Sequence, residues 1–146
     1  MKFLREEKKS NEKGESKMAK LQKEIILTDQ APAPIGPYSQ AVRVGDFLFC
    51  SGQIPLDPKT GQIASQQITG QAECVMENIR AVLKAAGLGF ENVFKTTIYL
   101  KSMGDFPQVN EVYGKYFKTA PPARSTVEVA RLPKDVLVEV EVTAHY

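Results

Sequence analysis

The segment Val136–Ala144 alternates between apolar and polar residues more regularly than any other part of the chain. One side of the alternation consists of four valines, at positions 136, 138, 140 and 142. The other side consists of Leu137, Glu139, Glu141 and Thr143. Because successive side chains of a strand point to opposite faces of a sheet, this pattern predicts a long strand with its valine face buried. The fold must therefore contain a sheet.

Five other segments predict strands, namely Lys23–Thr28, Ala41–Val44, Phe47–Ser51, Val93–Leu100 and Ser125–Ala130. The second and third flank Gly45-Asp46, a two-residue hairpin signal with the glycine first. The fourth is rich in β-branched and aromatic residues, which favour strands. The stretch Pro55–Gly61, with two prolines and a glycine, is typical of a turn.

Two segments predict helices. In the first, apolar residues recur at helical spacing from Ile68 to Ala86, and Gly87 stands where a helix commonly ends. In the second, Asp105 is expected to cap the N-terminus, with Pro107 in the first turn. Its apolar face is expected to comprise Phe106, Val109, Val112, Tyr113, Tyr116 and Phe117.

The order of these elements predicts an α+β fold. Two β-α-β crossovers of the same hand place both helices on one face of a single sheet. The opposite face still carries Leu137 and other apolar residues. We therefore expect that face to pack against other subunits of the same protein.

Charge divides the chain into two regions. Residues 1–20 contain seven Lys or Arg and four Glu, and we expect a charged, flexible extension ahead of a single domain over residues 21–146. The domain then has 12 basic and 13 acidic residues, a balance that does not favour nucleic-acid binding. No apolar run is long enough to span a membrane, and no secretory or mitochondrial signal is evident, so we expect a cytoplasmic protein.

The common signatures of cofactor and nucleophile chemistry are missing from the sequence. No phosphate-binding loop and no Gly-x-Ser-x-Gly elbow occurs. Cys50 and Cys74 are expected to be free thiols, and His145 alone cannot assemble a transition-metal site with them. We therefore expect neither metal nor cofactor.

The remaining candidates are polar residues on strands. By alternation, Arg124 shares a face with Thr126 and Glu128, and Glu139 and Glu141 lie opposite the valines. These residues could form an ordinary solvated sheet face whose ion pairs contribute little. If that face is instead the subunit contact, the charges are partly buried and need partners or a ligand.

Five stretches, taken together and in order, resemble one family. They are Ile35–Gln40 (IGPYSQ), Ser51–Pro55 (SGQIP), Val109–Tyr113 (VNEVY), Pro122–Asp135 (PARSTVEVARLPKD) and Val138–Glu141 (VEVE). From about residue 20 to 146, the chain resembles the Rid (YjgF-type) proteins, which are reactive-intermediate or 2-imino acid deaminases. The Pro-Ala-Arg segment is similar to the deaminase branch. The resemblance implies a chorismate-mutase-like fold, a homotrimer and sites between subunits. Alternation alone suggests a hairpin of the last two strands, whereas the family fold places the final strand centrally.

The resemblance also implies roles for individual residues. Arg124 would bind the substrate carboxylate, Glu139 would position or activate water, and Tyr38 and Asn110 would orient the ligand. Hydrogen bonds would come from the backbone around Thr126 and from the turn formed by Ser51 and Gly52. Without the family, Tyr38 could equally be a packing tyrosine, Asn110 a helix-surface amide and Glu139 a surface charge.

The implied reaction is hydrolysis of 2-iminopropanoate, 2-iminobutanoate and their enamine tautomers to 2-oxo acids and ammonia. Such imines are released by pyridoxal-phosphate dehydratases acting on serine and threonine. Two alternatives remain open at this point. One is a small-ligand sensor or holdase without turnover, and the other is an endoribonuclease or translation inhibitor.

Overall fold

The computed structural model describes residues 22–146, and the expected extension over residues 1–20 lies outside that range. Six strands and two α-helices follow one another along the chain. They are β1 (Lys23–Ile26), β2 (Ala41–Val44), β3 (Phe47–Cys50), α1 (Ile68–Ala85), β4 (Val93–Leu100), α2 (Phe106–Gly114), β5 (Ala123–Glu128) and β6 (Val138–His145). The α+β class expected from the sequence is confirmed.

All six strands form one sheet in the order β1-β2-β3-β6-β4-β5. Only β4 and β5 are parallel, and every other neighbouring pair is antiparallel. The final strand is therefore central, as the family resemblance implied. The hairpin of the last two strands that alternation suggested is wrong, because β4 lies between β5 and β6. In this position β6 buries Val138, Val140 and Val142 beneath the helices.

Both helices lie on the valine side of the sheet, called the helical face below. Helix α1 connects β3 to β4, and α2 connects β4 to its parallel neighbour β5. The side chains of Val75, Ile79 and Leu83 from α1 join the core. The helix ends as expected at Gly87, which has a φ of 76°. There Leu88 N donates to Leu83 O (2.9 Å) and Gly87 N to Lys84 O (2.9 Å), the two bonds of a Schellman motif.

The other side of the sheet, called the outer face below, exposes large apolar side chains. Phe47 and Phe49 are 50% and 51% exposed, and Phe94 lies against the Phe47 ring. The expectation of an apolar second face is confirmed. Leu137 does not belong to it, however, because this residue precedes β6 and packs against the core.

Several local expectations differ from the structure, since β1 ends at Ile26, β5 ends at Glu128, and β6 begins at Val138. Asp105 makes no side-chain capping bond to α2 and instead ends a 3₁₀ turn, in which Ser102 Oγ accepts from Gly104 N. Helix α2 ends at Gly114, although Tyr116 and Phe117 still pack against the core. Strand β5 begins at Ala123, because pairing with Lys95 of β4 extends it beyond the alternating segment.

Candidate ligand-binding site

Glu139 lies on β6 beside the segment that follows β3. Gln53 N donates to Val140 O (2.8 Å) and Val140 N to Gln53 O (3.2 Å), so this segment runs along the end of β6. Gly52 is thereby placed against the Glu139 side chain. A Cβ at position 52 would overlap Glu139 Oε1 and lie 2.9 Å from Cδ. Only glycine lets the carboxylate approach the backbone this closely.

Ser51 ties the Tyr38 segment to the same place. Its hydroxyl donates to Ser39 O (2.6 Å), and its amide donates to Gln40 O (2.9 Å). The Tyr38 side chain is 49% exposed, so it does not serve as a core residue. Together, Tyr38, Ser51, Gly52 and Glu139 are called the carboxylate half-site below.

Gln40 fixes the chain on the other side of Tyr38. Its amide is buried, accepts from Thr28 N (2.7 Å) and donates to the carbonyls of Thr28 (3.0 Å) and Pro32 (2.9 Å). These bonds hold the strand-free segment after β1, and Tyr38 with it, in one conformation. Sequence reasoning missed Gln40, although a glutamine at the start of a buried strand is a signal of such a role.

The environment of Glu139 disfavours its charged form. The side chain is partly buried on the outer face, opposite Tyr99 of β4. Burial raises the pKa of Glu139 above its ordinary value, and the nearby Glu141 carboxylate raises it further. Glu141 in turn accepts a hydrogen bond from Tyr99 Oη (2.9 Å), which raises the pKa of Tyr99. Glu139 is therefore suited to exchange protons closer to neutral pH than an exposed glutamate.

Arg124 on β5 is held by one face of α2. Its Nη1 donates to Asn110 Oδ1 (2.8 Å), and its guanidinium carbon lies 4.9 Å from the ring centroid of Tyr113 and 5.4 Å from that of Phe106. Within residues 22–146, no carboxylate lies within 4.0 Å of this guanidinium. The planar group thus keeps donors available for an anion.

Thr126 lies two residues further along β5, on the same face as Arg124. Its hydroxyl is the one buried side-chain polar atom in the described part of the chain that has no hydrogen-bond partner. Buried polar groups usually have partners, so this hydroxyl is a candidate to bond a water molecule, a ligand or another chain. Asn110, Arg124 and Thr126 are called the arginine half-site below.

The two half-sites lie on opposite faces of the sheet. Arg124 and Thr126 pair in register with Thr96 and Ile98 of β4, which are buried beneath the helices. Glu139 lies on the outer face instead. The interpretation that Arg124 and Glu139 share one polar face is therefore wrong. Alternation assigns faces within a strand, but it cannot relate two strands whose places in the sheet are unknown.

Distance also separates the half-sites within one chain. Strands β6 and β5 are two positions apart, or about 10 Å, and Glu139 lies about 10 Å along β6 from the level of Arg124. An apolar crevice lined by Met76, Val109 and Val138 lies in the core beneath the helices. It leaves no room for even one water molecule. Within one chain, the two half-sites are therefore separate.

The sequence assigned Phe106 and Tyr113 to the apolar face of α2 and missed their contact with Arg124. A signal was available, because Phe106, Asn110 and Tyr113 are spaced i, i+4 and i+7. This spacing puts an amide between two aromatic rings on one helix face. Thr96, which contacts Tyr113, carries no such signal.

The cysteines and the histidine give no sign of nucleophile or metal chemistry in the described part of the chain. Cys50 and Cys74 are free thiols, and burial raises the pKa of Cys50 to about 12. His145 lies near the Phe94 ring on the outer face. Across residues 22–146, no three His, Cys, Asp or Glu side chains cluster so as to hold a metal ion. In the same range, no helix has the length and hydropathy to cross a membrane.

Comparison with known proteins finds a matching family model and similar relatives. Residues 28–146 match the family model described as Endoribonuclease L-PSP. A RutC family protein of Pyrococcus horikoshii is 57% identical over 84% of this chain and 98% of its own length. The Reactive Intermediate Deaminase A of Arabidopsis thaliana chloroplasts is 44% identical over 85% of this chain and 66% of its own length.

Solved structures share the fold. A protein of the Rid family, YyfA from Yersinia pestis, superposes with a TM-score of 0.84 at 48% identity, covering 86% of this chain and all of that one. TdcF of E. coli, solved with bound serine, gives 0.81 at 44% identity, covering 84% and 98%. The fold defines a small α+β protein built on one mixed six-stranded sheet. The chain belongs to the Rid (YjgF-type) family.

Proposed function

We propose that the protein is a deaminase that hydrolyses small 2-imino acids, such as 2-iminopropanoate and 2-iminobutanoate, and their enamine tautomers. The observation that carries the proposal is Arg124. Its guanidinium is held by Asn110 and two aromatic rings, yet within residues 22–146 it pairs with no carboxylate. A forked cation held this way suits the carboxylate of a small acid.

The proposed site requires a second copy of the chain. The arginine and carboxylate half-sites lie on opposite faces of one sheet, so Arg124 of one subunit would meet Glu139 of the next. The half-exposed Phe47 and Phe49 of the outer face supply apolar surface for such a contact. A heterologous contact must close into a ring to avoid open filaments, and the ring we propose is the homotrimer that the family resemblance implies.

The proposed chemistry needs little beyond placement. Arg124 binds the carboxylate of the iminium form, R–C(=NH₂⁺)–COO⁻, and water adds to the imine carbon as the C=N π electrons move to nitrogen. Collapse of the carbinolamine breaks the C–N bond and yields R–CO–COO⁻ and ammonium. In this proposal, Glu139 of the neighbouring subunit accepts one proton from the attacking water and returns it to the departing nitrogen, while the carbinolamine hydroxyl loses its proton to the released ammonia. Such imines already hydrolyse in water, so orientation and one carboxylate suffice.

The relatives support the reaction class. One is named a reactive intermediate deaminase, and another was solved with the amino acid serine bound. A 2-imino acid shares the carboxylate and the adjacent nitrogen-bearing carbon of serine. Substrates of this kind must come from an enzyme that releases enamines or imines, and we propose the pyridoxal-phosphate dehydratases of serine and threonine as the source.

The test is a trapping assay. Threonine dehydratase in excess generates 2-iminobutanoate, which semicarbazide traps faster than it traps 2-oxobutanoate, so the proposed deaminase should lower the initial rate of semicarbazone formation. Two charge-assisted hydrogen bonds contribute about 3–6 kcal/mol, so Arg124→Ala should lose about a hundredfold or more in kcat/KM. Arg124→Lys should fail as well, because an ammonium cannot form the forked contact. Glu139→Gln should lose turnover but keep binding of 2-oxobutanoate.

The control variant is Arg80→Ala, which removes an exposed cation on α1 and should leave activity unchanged. A trimeric Arg124→Ala variant with normal activity would show that the site is wrongly assigned. Binding of 2-oxobutanoate without any slowing of semicarbazone formation would favour the alternative of a ligand sensor or holdase.

Ribonuclease activity is a second candidate, because the matching family model is described as an endoribonuclease. The charge of the domain argues against this candidate. Residues 21–146 carry 12 basic and 13 acidic side chains, and phosphate binding relies on a basic surface. RNA binding by the full chain should be weak and should fall steeply as salt rises. Tight binding at physiological salt with cleavage lost in Arg124→Ala would favour this candidate instead.

A further inference from the structure

Arg124 rests on a platform made by a single stripe of α2. Phe106, Asn110 and Tyr113 are spaced i, i+4 and i+7, so they lie along one helix face. The two rings contact the guanidinium at 5.4 and 4.9 Å from their centroids, and the amide oxygen between them accepts from Nη1 at 2.8 Å. Both ring distances are within the range of a cation–π interaction.

One of the two rings is anchored from the sheet. The Tyr113 hydroxyl lies 2.8 Å from Thr96 Oγ1, and both residues are buried, at 6% and 1% exposure. Thr96 is also the residue of β4 that pairs in register with Arg124. The same β4 position thus fixes the backbone of Arg124 and the ring beneath its guanidinium. Phe106 has no polar group and cannot be anchored in this way.

We infer that Tyr113, anchored by Thr96, is a positioning residue that holds Arg124 in the orientation needed to bind a carboxylate. The inference rests on the proposed function and extends it to residues that do not touch the substrate. An arginine side chain loses much rotamer freedom when it is fixed. If the platform already fixes the arginine in the free protein, this entropy is not lost on ligand binding, and the affinity is higher.

The inference predicts a particular split between binding and turnover. Tyr113→Leu should raise the Kd for 2-oxobutanoate and the KM of the trapping assay about tenfold, because the guanidinium becomes mobile. Its kcat should change less than about threefold, since the saturated site is already ordered. Tyr113→Phe keeps the ring and should raise Kd only about two- to threefold.

A double-mutant cycle isolates the anchor. Thr96→Val should raise the Kd for 2-oxobutanoate. Thr96→Ser should leave this Kd near the wild-type value, because serine keeps the hydroxyl. In the Tyr113→Phe background, Thr96→Val should have no further effect on Kd, because it acts only through the lost hydroxyl. This double variant removes both hydroxyls of the pair and leaves neither of them buried without a partner, so it should fold even if Thr96→Val alone is unstable.

The matched control is Tyr116→Leu, which removes a ring that contacts Phe90 and Glu77 instead of Arg124. It should lower Tm without changing Kd. If Tyr113→Leu and the cycle behave like this control, with lower Tm and unchanged Kd and KM, the positioning role is overturned. If Arg124→Ala also keeps normal Kd, the proposed site itself is wrong. If Arg124→Ala weakens binding of 2-oxobutanoate but the Tyr113 and Thr96 variants do not, the positioning role is overturned and the proposed site stands.

Discussion

At the scale of single residues, the carboxylate half-site depends on Gly52, which has no Cβ. The carboxylate of Glu139 occupies the volume that a side chain at position 52 would need. Glycine is required here for space and not for a left-handed backbone, since Gly52 is not among the residues with positive φ. The sequence pattern Ser-Gly-Gln therefore encodes a close approach of backbone and carboxylate.

Gly52→Ala should displace the Glu139 carboxylate from its position. We expect turnover in the trapping assay to fall by about tenfold or more, because a small misplacement of a catalytic group is costly. Binding of 2-oxobutanoate through Arg124 should persist. Gly114→Ala is the control, because a Cβ there meets no neighbouring atom. Normal turnover in trimeric Gly52→Ala would mean that the position of Glu139 does not matter.

The pH dependence of turnover should reveal the pair formed by Glu139 and Glu141. The Glu141 charge raises the pKa of Glu139, and Tyr99 is the other titratable group facing them. Removing that charge in Glu141→Gln lowers the pKa of Glu139 toward its ordinary value. If ionised Glu139 is the active form, the acidic limb of the kcat profile should then move to lower pH. A limb that stays in place or moves to higher pH would contradict this coupling. Glu111→Gln, an exposed change on α2, serves as the control.

At the scale of elements, helix α1 ends where the sequence says it should. Gly87 adopts a φ of 76°, and nothing lies within 4 Å of the Cβ it lacks. The left-handed conformation, together with the two terminal hydrogen bonds, therefore explains the glycine without any packing constraint.

Gly87→Ala should lower the free energy of unfolding by about 1 kcal/mol, because the left-handed conformation disfavours a Cβ. Gly87→Asn should lose less, since asparagine tolerates this conformation better than alanine. Denaturant unfolding at fixed protein concentration measures both. Activity should be unchanged in each, as α1 contributes to neither half-site. A larger loss in Gly87→Asn than in Gly87→Ala would argue against this explanation.

At the scale of the whole molecule, the two half-sites lie on opposite faces of one sheet, so the proposed site needs one half from each of two subunits. Subunits carrying Arg124→Ala retain a normal carboxylate half-site, and subunits carrying Glu139→Gln retain a normal arginine half-site. A site between two different subunits can therefore combine the intact halves of both.

Co-expression of the two inactive variants should restore activity. In a trimer with random subunit mixing, about a quarter of all sites should contain both intact halves. The mixed protein should therefore recover up to about a quarter of normal turnover in the trapping assay. Each variant expressed alone should remain inactive. A chain carrying both Arg124→Ala and Glu139→Gln should also remain inactive. Mixed trimers without recovery, or a stable monomer in light scattering, would exclude a site shared in this way.

The sequence by itself determined the type and order of the elements and pointed to the candidate site residues. Strict alternation gave the buried face of β6, helical spacing gave α1, and Gly45 and Gly87 marked a turn and a helix end, because these are properties of adjacent residues. Tertiary structure decided which strands are neighbours, and so put Arg124 and Glu139 on opposite faces, Gly52 against Glu139, and Tyr113 beneath Arg124. These contacts join residues far apart in the chain, and local periodicity carries no information about strand order.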